Sequence, residues 1–329
     1  MWTSIAALLL TLSLVYPSFA VAQEAAKSLP EQSVDAFAKV FGVHPQARVN
    51  HAKGVIVEGT FTPSAAAASV SKAAHLQKQK KPIPVTIRFS DGSGLPTVPD
   101  AEHMPRGMAV KFMLPNGSKT DIVALSYNGF PVATAEEFRD LLLAIAASGP
   151  EAPKPTPVET FLGSHPAAKA FVEAPKPPPV SFATLAYFGI NAFKFTNAKG
   201  AVVHGRYQFQ PETGIKSLTP EEAAKAGPDY LVDEINERVA HGPAKFKLFV
   251  QIAEPSDKVD DPSIAWPDSR KLVELGTIAI TKSTTESHTA DKQLFLPGAV
   301  LPGIEPADPM IGVRSLAYPI SFVRRLKAP

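Results

Sequence analysis

Two stretches near opposite ends of the chain carry side chains whose types and spacing suit redox chemistry. Late in the sequence, Pro302-Gly303-Ile304-Glu305-Pro306-Ala307-Asp308-Pro309 is followed by Arg314-Ser315-Leu316-Ala317-Tyr318-Pro319. An Arg four residues before a Tyr lies one helical turn back on the same face, where its guanidinium can hold the phenol oxygen. A free phenol, with a pKa of about 10, is protonated at neutral pH. A neighbouring cation favours the anion, and a ferric ion favours it further. Tyr is one of the side chains that can ligate haem iron. Early in the sequence, Arg48-Val49-Asn50-His51-Ala52-Lys53-Gly54 places a His between two cations. With an ordinary pKa of about 6.5, a His can take up and return a proton near neutrality. Taken singly, a His is more often a structural hydrogen-bonding residue, and Arg-x-x-x-Tyr is a weak pattern.

Composition narrows the classes. The 329 residues are 45% hydrophobic, enough for one large core or two smaller ones. A net charge of +2 from 33 basic and 31 acidic residues gives no electrostatic case for nucleic acid. The cysteine count is 0, which rules out disulfides, zinc–thiolate sites, iron–sulfur clusters and thiol nucleophiles. Residues 1–22 stand apart. Ile5 to Val15 is mostly apolar, and Ala20-Val21-Ala22 fits a small-x-small cleavage site before Gln23. No Lys or Arg precedes the apolar run, which is too short and too interrupted to span a membrane. The expectation is a secretory signal peptide, hence a periplasmic or secreted protein without stable membrane association once the peptide is removed.

The elements that must position these groups read mainly as strands. Val55–Phe61, Val85–Ser90, Gly107–Phe112, Asp121–Leu125, Phe246–Ala253 and Leu272–Thr281 alternate or are β-branched. Asn116-Gly117 marks a hairpin turn, and Ala192–Phe209 reads as another hairpin. Ser64–Gln77 is Ala-rich and expected helical, as are Glu136–Ala147, Pro220–Ala226 and Tyr230–His241. Residues 149–180 are Pro-rich with interspersed Phe161, Leu162, Phe171 and Val172. They predict an irregular wrapping connection with one short helix. The fold expected is α+β: an antiparallel β-barrel with helical insertions, in one domain over residues 23–329.

The two chemical stretches, taken with several segments between them, resemble the haem catalase superfamily. His51-Ala52-Lys53-Gly54 with Gly59-Thr60-Phe61 is similar to the family's distal-histidine segment. Further matches are Arg106-Gly107-Met108-Ala109-Val110-Lys111-Phe112, Phe161-Leu162-Gly163-Ser164-His165-Pro166, Phe193-Lys194-Phe195-Thr196-Asn197-Ala198 and Gly214-Ile215-Lys216-Ser217-Leu218. The likeness runs from about residue 33 to residue 325 in the family's order. It implies haem b as cofactor, with Tyr318 as iron ligand, Arg314 holding it as phenolate and Asp308 positioning that Arg. It implies His51 as the proton-transferring residue, oriented by Ser90. Arg48, Arg88 and Arg325 match the anchors of the haem propionates, Phe138 the ring that stacks on a pyrrole, and Phe130 the ring over the distal pocket.

The sequence also departs from that pattern. The family's distal Asn falls on Leu125, while Asn128 lies three residues on and reaches the site if the loop shifts. An acidic channel residue becomes Met104, a valine over the haem becomes Asn50, and a His bracing the proximal Arg becomes Asn191. Together with the short chain, these changes make it similar to the small catalase-related peroxidases. The expectation is a peroxidase that reduces hydrogen peroxide or organic hydroperoxides with a small organic donor, with weak or no catalase activity, as a possible homodimer. The alternatives are a true catalase, a fatty-acid hydroperoxide-converting enzyme, a non-catalytic haem protein, and a binding module without haem.

Overall fold

β-Branched and aromatic residues at alternating positions extend the backbone and bury one side of it, and the strands fall where that pattern is strongest. The computed structural model describes residues 26–284 and 292–327; the expected signal peptide, residues 1–22, lies outside the described residues. The strands are Gly54–Pro63 (β1), Ile83–Asp91 (β2), Arg106–Met113 (β3), Lys119–Leu125 (β4), Tyr187–Phe188 (β5), Phe193–Thr196 (β6), Val202–Pro211 (β7), Ala244–Ile252 (β8), Leu272–Ser283 (β9) and Ile304–Pro306 (β10). Hydrogen bonding runs β7-β5-β4-β3-β2-β1-β9-β8 and returns from β8 to β7, closing an eight-stranded antiparallel barrel. Closure satisfies both edges of the sheet. Strands β6 and β10 extend it outward from β7.

The helices are Leu29–Phe41 (α1), Ala67–Val70 (α2), Ala135–Ala146 (α3), Pro157–Ser164 (α4), Pro166–Glu173 (α5), Pro220–Lys225 (α6), Tyr230–His241 (α7) and Met310–Lys327 (α8). Capping explains several of their starts. Thr134, Thr156 and Thr219 each accept from the N–H three residues on, and the Glu at that third position reaches back. Two expectations need correction. Ser64–Gln77 is not one helix: it forms the single turn α2 and a 3-10 turn at Ala74–Leu76. Ala67 and Val70 dock on the barrel, and Ser71 turns away to bond the Gly303 carbonyl, so tertiary contacts override Ala propensity. The Pro-rich connection holds two helices, α4 and α5. Pro166 ends the first because the residue before a proline avoids helical geometry, and it then starts the second at a position that needs no N–H.

The core is aromatic. Phe89 stacks on Phe182 at 5.3 Å and meets Phe246 at 6.1 Å, with Tyr187 between them and all four buried. His75 is the anomaly. It is 1% exposed, lies 5.3 Å from the Phe112 ring, and neither ring nitrogen has a hydrogen-bond partner among the described residues. Burial pushes its pKa down to about 3. The unfolded chain binds this proton near pH 6.5 and the folded one does not, so stability is lost as pH falls from about 6.5 toward 3. His75→Leu removes two unpaired polar atoms at similar volume. It is expected to raise stability by about 1–3 kcal/mol at neutral pH and to flatten the acid slope, as read by urea unfolding at several pH values.

Candidate active site

Register across the barrel wall brings four residues into one row: Gly54 on β1, Ser90 on β2, Gly107 on β3 and Leu125 on β4. Strand alternation puts Ser90 and Arg88 on the face opposite Ile87 and Phe89, whose side chains fill the core. The site therefore lies on the outer face of the wall. His51 sits just before β1 with φ +55, a left-handed conformation uncommon for a residue with a side chain. Its Nδ1 lies 3.1 Å from Ser90 Oγ. The tautomer with the proton on Nδ1 donates to that oxygen and leaves the Nε2 lone pair able to accept a proton.

The two glycines in the row make the space. A Cβ on Gly107 would stand 2.6 Å from Ser90 Oγ and 2.9 Å from His51 Nδ1, and one on Gly54 would stand 2.9 Å from the Arg88 guanidinium carbon. Read from the sequence alone, Gly107 has no role beyond its strand. The available signal was a glycine inside a strand pattern, which marks close approach. Gly107→Ala is expected to displace the His51–Ser90 pair and slow the reaction with peroxide by about 10-fold or more while the protein still folds. Stopped-flow mixing with peroxide checks the rate, and circular dichroism the fold.

His51 is pushed down to about 3, first by burial and then by the charges of Arg88 and Arg48, with Arg314 adding to them. It is thus a neutral base at physiological pH. Arg314, from the far end of the chain, adds a smaller charge effect of the same sign. Arg88 donates to the Ala52 carbonyl at 3.2 Å. Arg48 and Arg325 both donate to the Gln293 carbonyl, each at 2.7 Å. Gln293 was not anticipated; a backbone carbonyl that gathers two guanidiniums leaves no trace in sequence. Arg48, Arg88 and Arg325 are thereby brought toward one site, the latter two being buried.

Helix α8 carries Arg314 and Tyr318 one turn apart, and Arg314 donates to the Tyr318 oxygen at 2.7 Å. A guanidinium only donates, so this oxygen is an acceptor. The same Arg also donates to Asn191 Oδ1, and Asn191 Nδ2 donates to Asp308 Oδ2 at 2.6 Å. Asp308 thus bears on Arg314 through the amide of Asn191. Asp308 also accepts from the Met310 N–H at the start of α8 at 2.9 Å, tying the relay to the helix terminus. Burial pushes its pKa up, opposed by Asn191, the Met310 N–H, Arg314 and Arg206.

Phe130 and Phe138 form one cluster, with centroids 4.8 Å apart, and Phe37 of α1 meets Phe138 edge-on at 5.6 Å. Leu125 stands opposite Gly107, so its side chain shares the face of Ser90 and the His51 ring. Asn128 lies beyond the strand and makes no side-chain hydrogen bond among the described residues; no such bond links it to His51 or Ser90. Asn50 Oδ1 is buried without a hydrogen-bond partner among the described residues, a polar atom facing an environment the protein alone does not complete.

A family model described as Catalase matches residues 41–328. A catalase-related peroxidase of Mycolicibacterium paratuberculosis is 39% identical over 301 residues, covering 90% of this chain and 94% of that protein. One of Synechococcus elongatus, with the same name, is 34% identical over 304 residues, covering 91% and 89%. A longer protein of Vibrio vulnificus named catalase is 28% identical, and the match spans 58% of its length. Among solved structures, a fungal catalase superposes with a TM-score of 0.77 at 22% identity, over 86% of this chain and 60% of that one.

Proposed function

The chain belongs to the catalase family, and from that premise we propose that it is a haem b peroxidase. It reduces hydrogen peroxide or organic hydroperoxides with a small organic donor and has weak or no catalase activity. Membership of that family makes it a peroxide-acting oxidoreductase. One observation carries the peroxidase reading. One fold holds two hydrogen-bonded pairs far apart in sequence: His51–Ser90, a positioned proton-transferring base, and Arg314–Tyr318, an oxygen ligand held by a cation.

The residues present fit a haem. The Tyr318 oxygen, held by a cation, offers an anionic ligand for ferric iron. Arg48, Arg88 and Arg325 offer charge-assisted hydrogen bonds to two propionates, Phe138 and Phe130 offer apolar rings, and the buried Asn50 Oδ1 awaits a neighbour. When bound, the haem supplies a redox-active iron at which peroxide is reduced. His51 takes the proton from one peroxide oxygen and delivers it to the other, which departs as water or alcohol. Ser90 and Gly107 fix the ring in place, and Arg88 and Arg48 keep it unprotonated and ready. Overall, hydroperoxide plus a two-hydrogen donor gives alcohol, water and oxidised donor.

Leu125 favours the peroxidase over the catalase reading. It puts an apolar side chain beside His51 and supplies no amide donor to hold a second peroxide as reductant. The apolar surface also suits organic hydroperoxides. With the haem-loaded protein, peroxide consumption is expected to require an added phenolic donor and to release little oxygen. An oxygen electrode run with and without donor checks this, and oxygen release matching peroxide loss without donor overturns it. Export through residues 1–22 is part of the proposal, and mass analysis of the mature N-terminus tests it.

A further inference from the structure

Behind the His51 wall lies a second cluster of charges that the chemistry above does not use. Lys53 follows His51 by two residues, and Asp91 follows Ser90 directly. Lys53, Asp91, Asp100 and Arg106 are all buried. Lys53 Nζ lies 2.6 Å from Asp100 Oδ1 and 2.7 Å from Asp229 Oδ1 at the exposed rim, and Arg106 Nε lies 2.9 Å from Asp91 Oδ1. The two buried pairs, Lys53–Asp100 and Arg106–Asp91, cancel in charge. The Lys53 ammonium also donates to the carbonyls of Val98 at 3.0 Å and Pro228 at 2.5 Å. An ammonium has three N–H donors, so these four acceptors saturate it. They come from two places far apart in sequence: the loop after β2 (Val98, Asp100) and the entry to α7 (Pro228, Asp229). Those two places are joined to each other as well. The Asp100 N–H donates to the Pro228 carbonyl at 2.9 Å, and Asp100 Oδ2 accepts from the Leu231 N–H at 2.7 Å.

His51 needs an anchor of this kind. A φ of +55 is unfavourable for a residue with a side chain and persists only where the surroundings fix it. Three backbone contacts grip the chain just after it. The Ala52 N–H donates to the Ser93 carbonyl at 2.8 Å, Arg88 donates to the Ala52 carbonyl at 3.2 Å, and the Asp91 N–H donates to the Lys53 carbonyl at 3.1 Å. All three tie this flank to β2 or to the loop beyond it. Lys53 supplies the charged side chain of the flank and carries the connection on into α7. Burying an ammonium is costly and is offset only where its pairing is complete. Any shift of the 51–53 turn would pull that charge off its partners, so the buried ammonium resists the shift.

We propose that Lys53 is a positioning residue for His51: its ammonium, gripped by Asp100 and Asp229, fixes the flank of the left-handed turn, and the turn holds the ring against Ser90. Lys53 touches no reacting atom and acts only through the imidazole, whose Nδ1 lies 3.1 Å from Ser90 Oγ. A catalytic group misplaced by about 1 Å can cost about 10²-fold in rate. Removing the ammonium alone leaves Asp100 as an uncompensated buried anion, so Lys53→Met loses stability as well as rate. Combining Lys53→Met with Asp100→Asn removes both charges at similar volume, and the Asn oxygen still accepts from the Leu231 N–H. That paired variant is expected to fold and yet to lack the anchor.

The proposal rests on the peroxidase reading only for its effect on turnover, so the test has two arms, both with the haem-loaded protein. The first reads proton uptake without turnover, as the association of cyanide with the ferric protein. Hydrogen cyanide must give up its proton to bind as cyanide, and His51 is the base placed to take it. The association rate constant of the paired variant is expected to fall by at least about 10-fold. In the second arm, the rate constant for reaction with peroxide is expected to fall by a similar factor. Both arms are repeated in the His51→Ala background, where the paired substitution is expected to change either rate by less than about 2-fold, because the group through which Lys53 acts is gone. Asp229→Asn keeps a good helix N-cap and removes only the rim charge; it is expected to slow both reactions by about 2- to 5-fold. Parent rates in the paired variant or in Asp229→Asn overturn the proposal. So does an equal loss with and without His51, which marks a general structural effect. Cyanide association reports on the placing of His51 whether or not the protein turns over as a peroxidase, so the two failures are distinguishable.

Discussion

Replacing His51 by Ala is expected to lower the rate constant for peroxide reduction by the haem-loaded protein by about 10²- to 10⁴-fold while haem stays bound. In the proposed reaction the imidazole is the base: half-buried, neutral, and placed against Ser90 by a backbone at φ +55. Among the described residues beside it, none takes over this role. The guanidiniums of Arg48 and Arg88 only donate, Leu125 is apolar, and a serine hydroxyl is too weak a base. The variant keeps the Arg314–Tyr318 pair untouched, so the loss lies in proton transfer. An Ala at positive φ costs roughly 1 kcal/mol, a penalty that His51→Asn avoids because Asn tolerates this region. The Asn variant is expected to fold as the parent does and to be as slow as the Ala variant. Stopped-flow mixing with peroxide, with haem content measured in parallel, checks both.

Removing the phenol oxygen is the second large effect. Tyr318→Phe is expected to lose haem on gel filtration or to retain it with at least about 10²-fold lower peroxidase activity. The ring and its packing persist, but the oxygen that accepts from Arg314 at 2.7 Å is gone. The Arg314 guanidinium then keeps only Asn191 of these two partners, and a half-buried cation that has lost an acceptor is costly. Arg314→Met is expected to fall between parent and Tyr318→Phe, at about 10- to 100-fold, because it removes the support rather than the ligand. Haem per chain after gel filtration, with donor oxidation rates, separates the cases.

Much of this was legible because it is local. Arg314 and Tyr318 share a helical face by spacing alone, and Ser90 shares a strand with Arg88. The strands were legible because β-branched alternation is a property of each segment. What escaped was set by register and by backbone. The row Gly54–Ser90–Gly107–Leu125 needs three strand pairings at once, and the Gln293 carbonyl has no side chain to announce it. Asp308 and Asn191 were each legible as partners of Arg314, but the order in which they bond it was not, because sequence cannot measure the span that two short side chains fill. The Ala-rich stretch misled for a different reason: intrinsic propensity is weaker than docking on a barrel.

The central claim is that the Tyr318 oxygen would hold haem iron as a phenolate. Resonance Raman spectroscopy of the ferric haem-loaded protein, carrying ring-deuterated tyrosine, tests it most directly. The account predicts enhanced tyrosinate modes that shift with the label and vanish in Tyr318→Phe. A haem spectrum without phenolate modes, or one unchanged in Tyr318→Phe, would contradict it.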